Sequence, residues 1–288
     1  MSHTPLTANK PIIHVLFFSL FILSLYGCEK TWQKKLRDGK DIIVRDKSFS
    51  SELDLTNLVK TYQFSPNRKH AVITSNLIFI NCTFNGFTTF KRDENFMFTL
   101  EFSKNLIFNK CTFNNTADLS YLTINGDFSA LECQFIGPVI MSNAWFKGKS
   151  SSFTSVHFYN KVKAVNCLFD NNTSFFKARF YESISFQNSI FKGKTNFGGA
   201  NFNKYAGFDK TTFLCATNFS KSTFYGKAIF NYASFIMASS FFECDFGDAP
   251  TFKNTDFNGI TDFANAKLPH TYQFKENKKG IYVPVEVK

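Results

Sequence analysis

The chain has 288 residues, 44% of them apolar and 18% aromatic, which is ample for a buried core. Its formal charge of +11 is spread along the sequence without the concentrated basic stripe that direct nucleic-acid binding needs, so nucleic acid is not expected as a partner. Seven cysteines occur with neither a Cys-x-x-Cys pair nor a metal-ligand spacing.

Taken in chain order, residues 1–27 read as a signal peptide. Lys10 is the only Lys or Arg before Cys28, and the apolar run Ile12–Leu25 is short for a membrane span but suits the central region of a secretory signal. The run ends Leu25-Tyr26-Gly27-Cys28. This resembles a bacterial lipobox, with an apolar residue at −3 and a small one at −1; Tyr26 at −2 is larger than usual. The resemblance implies cleavage before Cys28 and lipidation of its side chain. An uncleaved anchor and a simple secretory signal are the alternatives. Glu29 after the cysteine, rather than Asp, favours sorting to an outer membrane if the organism has one. The expected location is therefore the bacterial cell envelope, with the membrane as a partner through the lipid.

Residues 28–72 read as a basic N-terminal cap. Ten basic residues stand against six acids over 29–72, with no phenylalanine rhythm. Asp41–Val44 reads as a strand, and Ser51–Val59 as a short helix capped by Ser51. A solenoid needs such a cap to cover its first coil, and the charge suits contact with anionic lipid.

From residue 73 a ladder of apolar positions begins. Phe79 and Phe84 open it; Phe108, Phe113, Leu119, Ile124, Ala130, Phe135, Met141 and Phe146 continue it, followed after one extra residue by Phe153, Phe158, Ala164 and Phe169. Lys91–Asn95 and Lys147–Ser151 read as polar loops.

The ladder becomes regular over 175–268: Phe175, Phe180, Phe186, Phe191, Phe197, Phe202, Phe208, Phe213, Phe219, Phe224, Phe230, Phe235, Phe241, Phe246, Phe252, Phe257 and Phe263, with gaps of 5 and 6 in strict alternation. On an α-helix these steps scatter the rings around the axis. In a straight strand a step of 5 would place successive rings on opposite faces. A chain that turns between successive rings brings all of them to one axis, which is a solenoid of short strands. The residue two before each ring is small, as at Thr195, Ala200, Ala206, Thr211, Thr217 and Ser222. A large ring beside a small residue fills a narrow interior. Pro250 breaks that rule and reads as a corner or a tolerated kink.

The stretches TNFGGANFNKYAGFDKTTF and ATNFSKSTFYGKAIFNYASF resemble the pentapeptide-repeat family in a Phe-rich form with one residue added to every second unit. The resemblance implies an all-β solenoid: a right-handed quadrilateral β-helix with a small N-terminal cap. Four steps take 22 residues here, two more than four plain pentapeptides. Residues 73–268 form the β-helix on this reading, and 269–288 a C-terminal tail.

Five of the six later cysteines, Cys82, Cys111, Cys133, Cys167 and Cys244, fall at the small inward position and read as buried fillers. A disulfide between Cys111 and Cys133 on adjacent coils is the alternative. No phosphate loop or nucleophile–base pair is recognisable, and no cofactor, metal or small-molecule substrate is expected. Asp209, Asp245, Asp248, Asp256 and Asp262 read as solvated acids.

The functional expectation is a non-catalytic, envelope-anchored scaffold that presents its surface to a protein partner the sequence does not specify. The alternative is an enzyme resembling β-helical polysaccharide lyases or hydrolases. Further off stands a DNA mimic that protects topoisomerases, a role known in the family. The mildly basic coils and the export signal depart from that role.

Overall fold

The structure is a computed structural model describing residues 28–270, 272–276 and 280–286. The signal-peptide reading of 1–27 lies outside these residues. Among them the chain is nearly all β. It winds into stacked coils whose short strands pair in parallel with the strands one coil further on. Phe180 pairs with Phe202, Phe202 with Phe224 and Phe224 with Phe246, so the pairing offset equals the 22-residue period of the sequence.

Three sheets of ten, fifteen and eleven strands run along the stack. The largest covers two faces. Its strand Thr83–Thr88 pairs through Phe84 with Phe113 and through Phe87 with Ala117, turning the corner between them. Each coil therefore has four faces.

Four columns of rings fill the interior. Phe153, Phe175, Phe197, Phe219, Phe241 and Phe263 stack with centroids 4.6–5.0 Å apart and planes within 6°. The ring spacing matches the strand spacing, because each ring is carried by the coil beneath the next. Neighbouring columns meet edge to face, as Phe208 does with Phe219 at 5.4 Å and 88°, the geometry that ring quadrupoles favour. Among the seventeen rings from Phe175 to Phe263, all are buried except Phe252, which is half-buried. Pro250 occupies the last rung on its face, where a backbone N–H would find no following strand.

One corner of every half-coil needs a left-handed residue. Positive φ recurs every eleventh residue from Asn166 through Lys177, Asn188, Gly199, Lys210, Lys221, Tyr232, Glu243 and Asn254 to Asn265. Each sits third in a turn such as Phe175–Ala178, closed by the Ala178 N–H on the Phe175 carbonyl at 3.0 Å. Only Gly199 in this series is glycine, so most of these corners carry backbone strain. The other corner type is tight. At Gly193 a side chain would run into the backbone of Asn171 on the preceding coil.

The structure differs from the sequence reading in three ways, two of them at the N-terminal end. Helix α1 (Cys28–Arg37) is followed by β1 (Ile42–Arg45), β2 (Ser48–Asp54), β3 (Tyr62–Ser65), β4 (Arg68–Ile73), β5 (Leu77–Ile80), β6 (Thr83–Thr88), β7 (Lys91–Arg92) and β8 (Met97–Phe102). First, Ser51–Val59 is not a helix. β2 runs through Ser51, and only Leu55–Asn57 forms a 3-10 turn, capped by Asp54 through the Thr56 N–H at 2.8 Å. Pairing with β6 overrides the local helix signal, because it buries Phe49 and Leu53 against the coil. Second, coiling begins before residue 73: β1, β2 and β4 already pair in parallel with β5, β6 and β8. The helix α1 is what covers the end, with Trp32 set edge-on to Phe49 and Phe79 at 6.2 and 6.3 Å. Third, Lys147–Ser151 is not an outward loop. Ser150–Ser152 is a strand on the Phe128 face, and the corner before it absorbs the extra residue. Lys91–Asn95 does protrude, as an exposed hairpin between β7 and β8.

At the other end an antiparallel hairpin, Tyr272–Glu276 with Tyr282–Glu286, lies against the last coil. Phe274 meets Phe263 at 5.5 Å.

Candidate functional surfaces

With the interior occupied by phenylalanine columns, the groups available for function lie at the two ends and on the four outer faces. Cys28 is the first residue of α1, so the proposed lipid site adjoins the capped end of the solenoid. Trp32 and Leu36 are buried on the core side of this helix, while Lys34, Lys35, Arg37 and the following Lys40 are exposed. The amphipathic pattern is one turn apart on the apolar side, which leaves the cations to solvent. Near this end Asp41 accepts the Asn76 backbone N–H at 2.9 Å and pairs with Lys104 at 2.9 Å. These contacts, the backbone one first, hold its carboxyl down at about 2.

The cysteines at the small inward positions are buried and free: Cys82, Cys111, Cys133, Cys167 and Cys244. Cys111 and Cys133 do stack on adjacent coils, with the Cys111 N–H donating to the Cys133 Sγ at 3.4 Å, but there is no disulfide between them. Their thiols instead donate to backbone carbonyls, as Cys244 does to Phe219 and Cys167 to Met141, both at 2.9 Å. Burial pushes the Cys167 and Cys244 thiols up to about 12, so neither is poised as a nucleophile.

The acids singled out near the last coils are used locally. Asp209 accepts the Tyr205 hydroxyl at 3.2 Å and Asp245 faces Lys267 at 3.8 Å. Among the described residues no group of three or more His, Cys, Asp or Glu is placed to hold a metal ion, and no helix is long and apolar enough to cross a membrane. His157 faces outward beside Tyr181, whose hydroxyl lies 3.4 Å from Nδ1. Burial and the nearby Arg179 lower its pKa.

The first outer face carries a shallow groove of about 760 Å³ along several coils, lined by residues such as Ser152, Ser174, Asn196, Asn218 and Ser240. Its polar groups are largely spent on each other. Asn218 donates to Asn196 at 3.1 Å, and the Ser220 and Ser240 hydroxyls lie 2.8 Å apart.

Parallel strands on four faces, a 22-residue register and an interior of stacked rings define a β-helical solenoid. The family model for pentapeptide repeats (nine copies) matches residues 153–201, and the same register continues on both sides of that stretch. The chain thus carries pentapeptide repeats within a β-helical fold. No curated protein and no solved structure matches it.

Proposed function

We propose that this protein is a non-catalytic scaffold of the bacterial cell envelope. Lipid on Cys28 holds it to the membrane, its basic N-terminal end contacts anionic lipid, and its coils present their outer faces to a protein partner. The observation that carries the reading is the placement of α1. The helix begins at the candidate lipid site, plugs the core with Trp32 and Leu36, and leaves Lys34, Lys35, Arg37 and Lys40 exposed at that same end. Each such cation near an anionic surface contributes about 1 kcal/mol, so the four add an electrostatic contact beside the lipid anchor.

The test separates the anchor from the charges. The chain starting at residue 29 carries no lipid site. It should bind anionic vesicles, and binding should fall as salt rises. Replacing Lys34, Lys35, Arg37 and Lys40 together by Gln should abolish that binding while leaving the fold intact, since all four are exposed. Binding that persists in the fourfold variant, or that ignores salt, would move the membrane contact to the coils and overturn the assignment.

A further inference from the structure

The second outer face carries a column of residues that each directly follow a buried ring: Tyr159, Tyr181, Asn203 and Tyr225, one per coil. Tyr159 and Tyr181 stack with centroids 4.7 Å apart and planes 3° apart. The ladder then lacks a rung, because Asn203 stands where a third ring would lie. Tyr181 and Tyr225 are therefore separated by two strand spacings, about 9–10 Å, with the free face of Tyr181 turned toward the gap. The gap is an open depression of about 500 Å³ bordered by Arg179, Tyr181, Asn201, Asn203, Lys204 and Tyr225.

We propose that this missing rung is a binding site for one acidic sugar unit of a polysaccharide. Two strand spacings admit one ring between Tyr181 and Tyr225, at the spacing the inner columns already use. A pyranose has the matching chemistry: C–H faces that lie on electron-rich aromatic rings, and a polar rim. Asn201 and Asn203 offer amide groups to that rim. A flat hydrocarbon ring would leave those amides unused. Among the described residues Arg179 and Lys204 make no ion pair. Glu182, one coil from Lys204 in register, makes none with it either, so both cations are free to meet a carboxylate. The inference is independent of lipid attachment at Cys28 and of the basic N-terminal end.

The test uses the purified full-length protein and calorimetric titration with three probes: a galacturonate trimer, the neutral galactose trimer, and a short peptide with Tyr flanked by Asp. The acidic trimer should bind at least about tenfold more tightly than the neutral one, the scale of one charge-assisted contact. Asn203→Tyr fills the rung with a ring the ladder can already accommodate, and it should remove binding without lowering the melting temperature. Tyr225→Ala and Arg179→Gln, at exposed positions, should each weaken binding by about tenfold. Equal affinity for the two trimers would overturn the proposal. So would unchanged binding in Asn203→Tyr, binding of the peptide alone, or no binding of either trimer at millimolar concentration.

Discussion

Phe213 and Tyr232 make a matched pair on which the register of the coil can be tested. The Phe213 ring is fully buried, stacked on Phe191 at 5.1 Å and Phe235 at 4.8 Å, and set edge-on to Phe219 at 86°. Truncation to Ala should cost about 3–5 kcal/mol. The upper end is expected, because strand hydrogen bonds fix the coil spacing and the cavity cannot collapse. One of them is the Leu214 N–H on the Phe191 carbonyl at 2.9 Å. Phe213→Asp adds the burial of a carboxyl with no partner, several kcal/mol more, which is comparable with the whole stability of an ordinary domain. Tyr232 is 52% exposed and left-handed at φ 58°. Asp tolerates that conformation, so Tyr232→Asp should change stability by less than about 0.5 kcal/mol. Thr212, one residue before the ring, is half-buried and faces outward, so Thr212→Asp should also be mild. Urea unfolding followed by circular dichroism measures all four. Equal midpoints for Phe213→Ala and Tyr232→Asp, or a larger loss at Thr212 than at Phe213, would show that the register is wrong.

Three further outcomes follow from the same geometry. A thiol reagent applied to the native chain should modify Cys215, the half-buried one, well before Cys82, Cys111, Cys133, Cys167 and Cys244, and all six should react after unfolding; fewer than six reactive thiols would reveal a disulfide. Gly193→Ala should destabilise by about 1–3 kcal/mol, because its methyl group meets the Asn171 backbone; an unchanged melting temperature would contradict that packing. Asp41, held at about 2 against an ordinary 3.8, stabilises the fold when ionised. Its contribution is complete above the ordinary value and is lost as pH falls toward 2, so acid unfolding of Asp41→Asn should depend less on pH over that window, and identical acid profiles would exclude the role.

The regular coils were legible in the sequence because their signal is collective: ring after ring at 5 and 6, each with a small residue two before it. The signals that failed were local. Ser51 looked like a helix cap, but Phe49 and Leu53 gain more from burial on β6 than a short isolated helix could return. The left-handed corners went unseen because Lys, Asn, Tyr and Glu occupy them where glycine would have announced them. The extra residue at 147–151 suggested a loop, but a tight corner absorbs it. The basic end was legible as charge, while its geometry was not: nothing local says that Trp32 and Leu36 of a helix at Cys28 turn into the first coil. The gap at Asn203 was hidden for the opposite reason. Outward positions vary freely, so a column such as Tyr159, Tyr181, Asn203 and Tyr225 becomes visible only when the coils are stacked.

Attachment through Cys28 can be tested by labelling with a radioactive fatty acid in the cells that make the protein. The wild-type chain should carry label and sediment with membranes, whereas Cys28→Ser should carry none and be released from them by high salt. Equal labelling of the two chains would contradict the claim and leave the basic end, rather than a lipid, as the only proposed tie to the membrane.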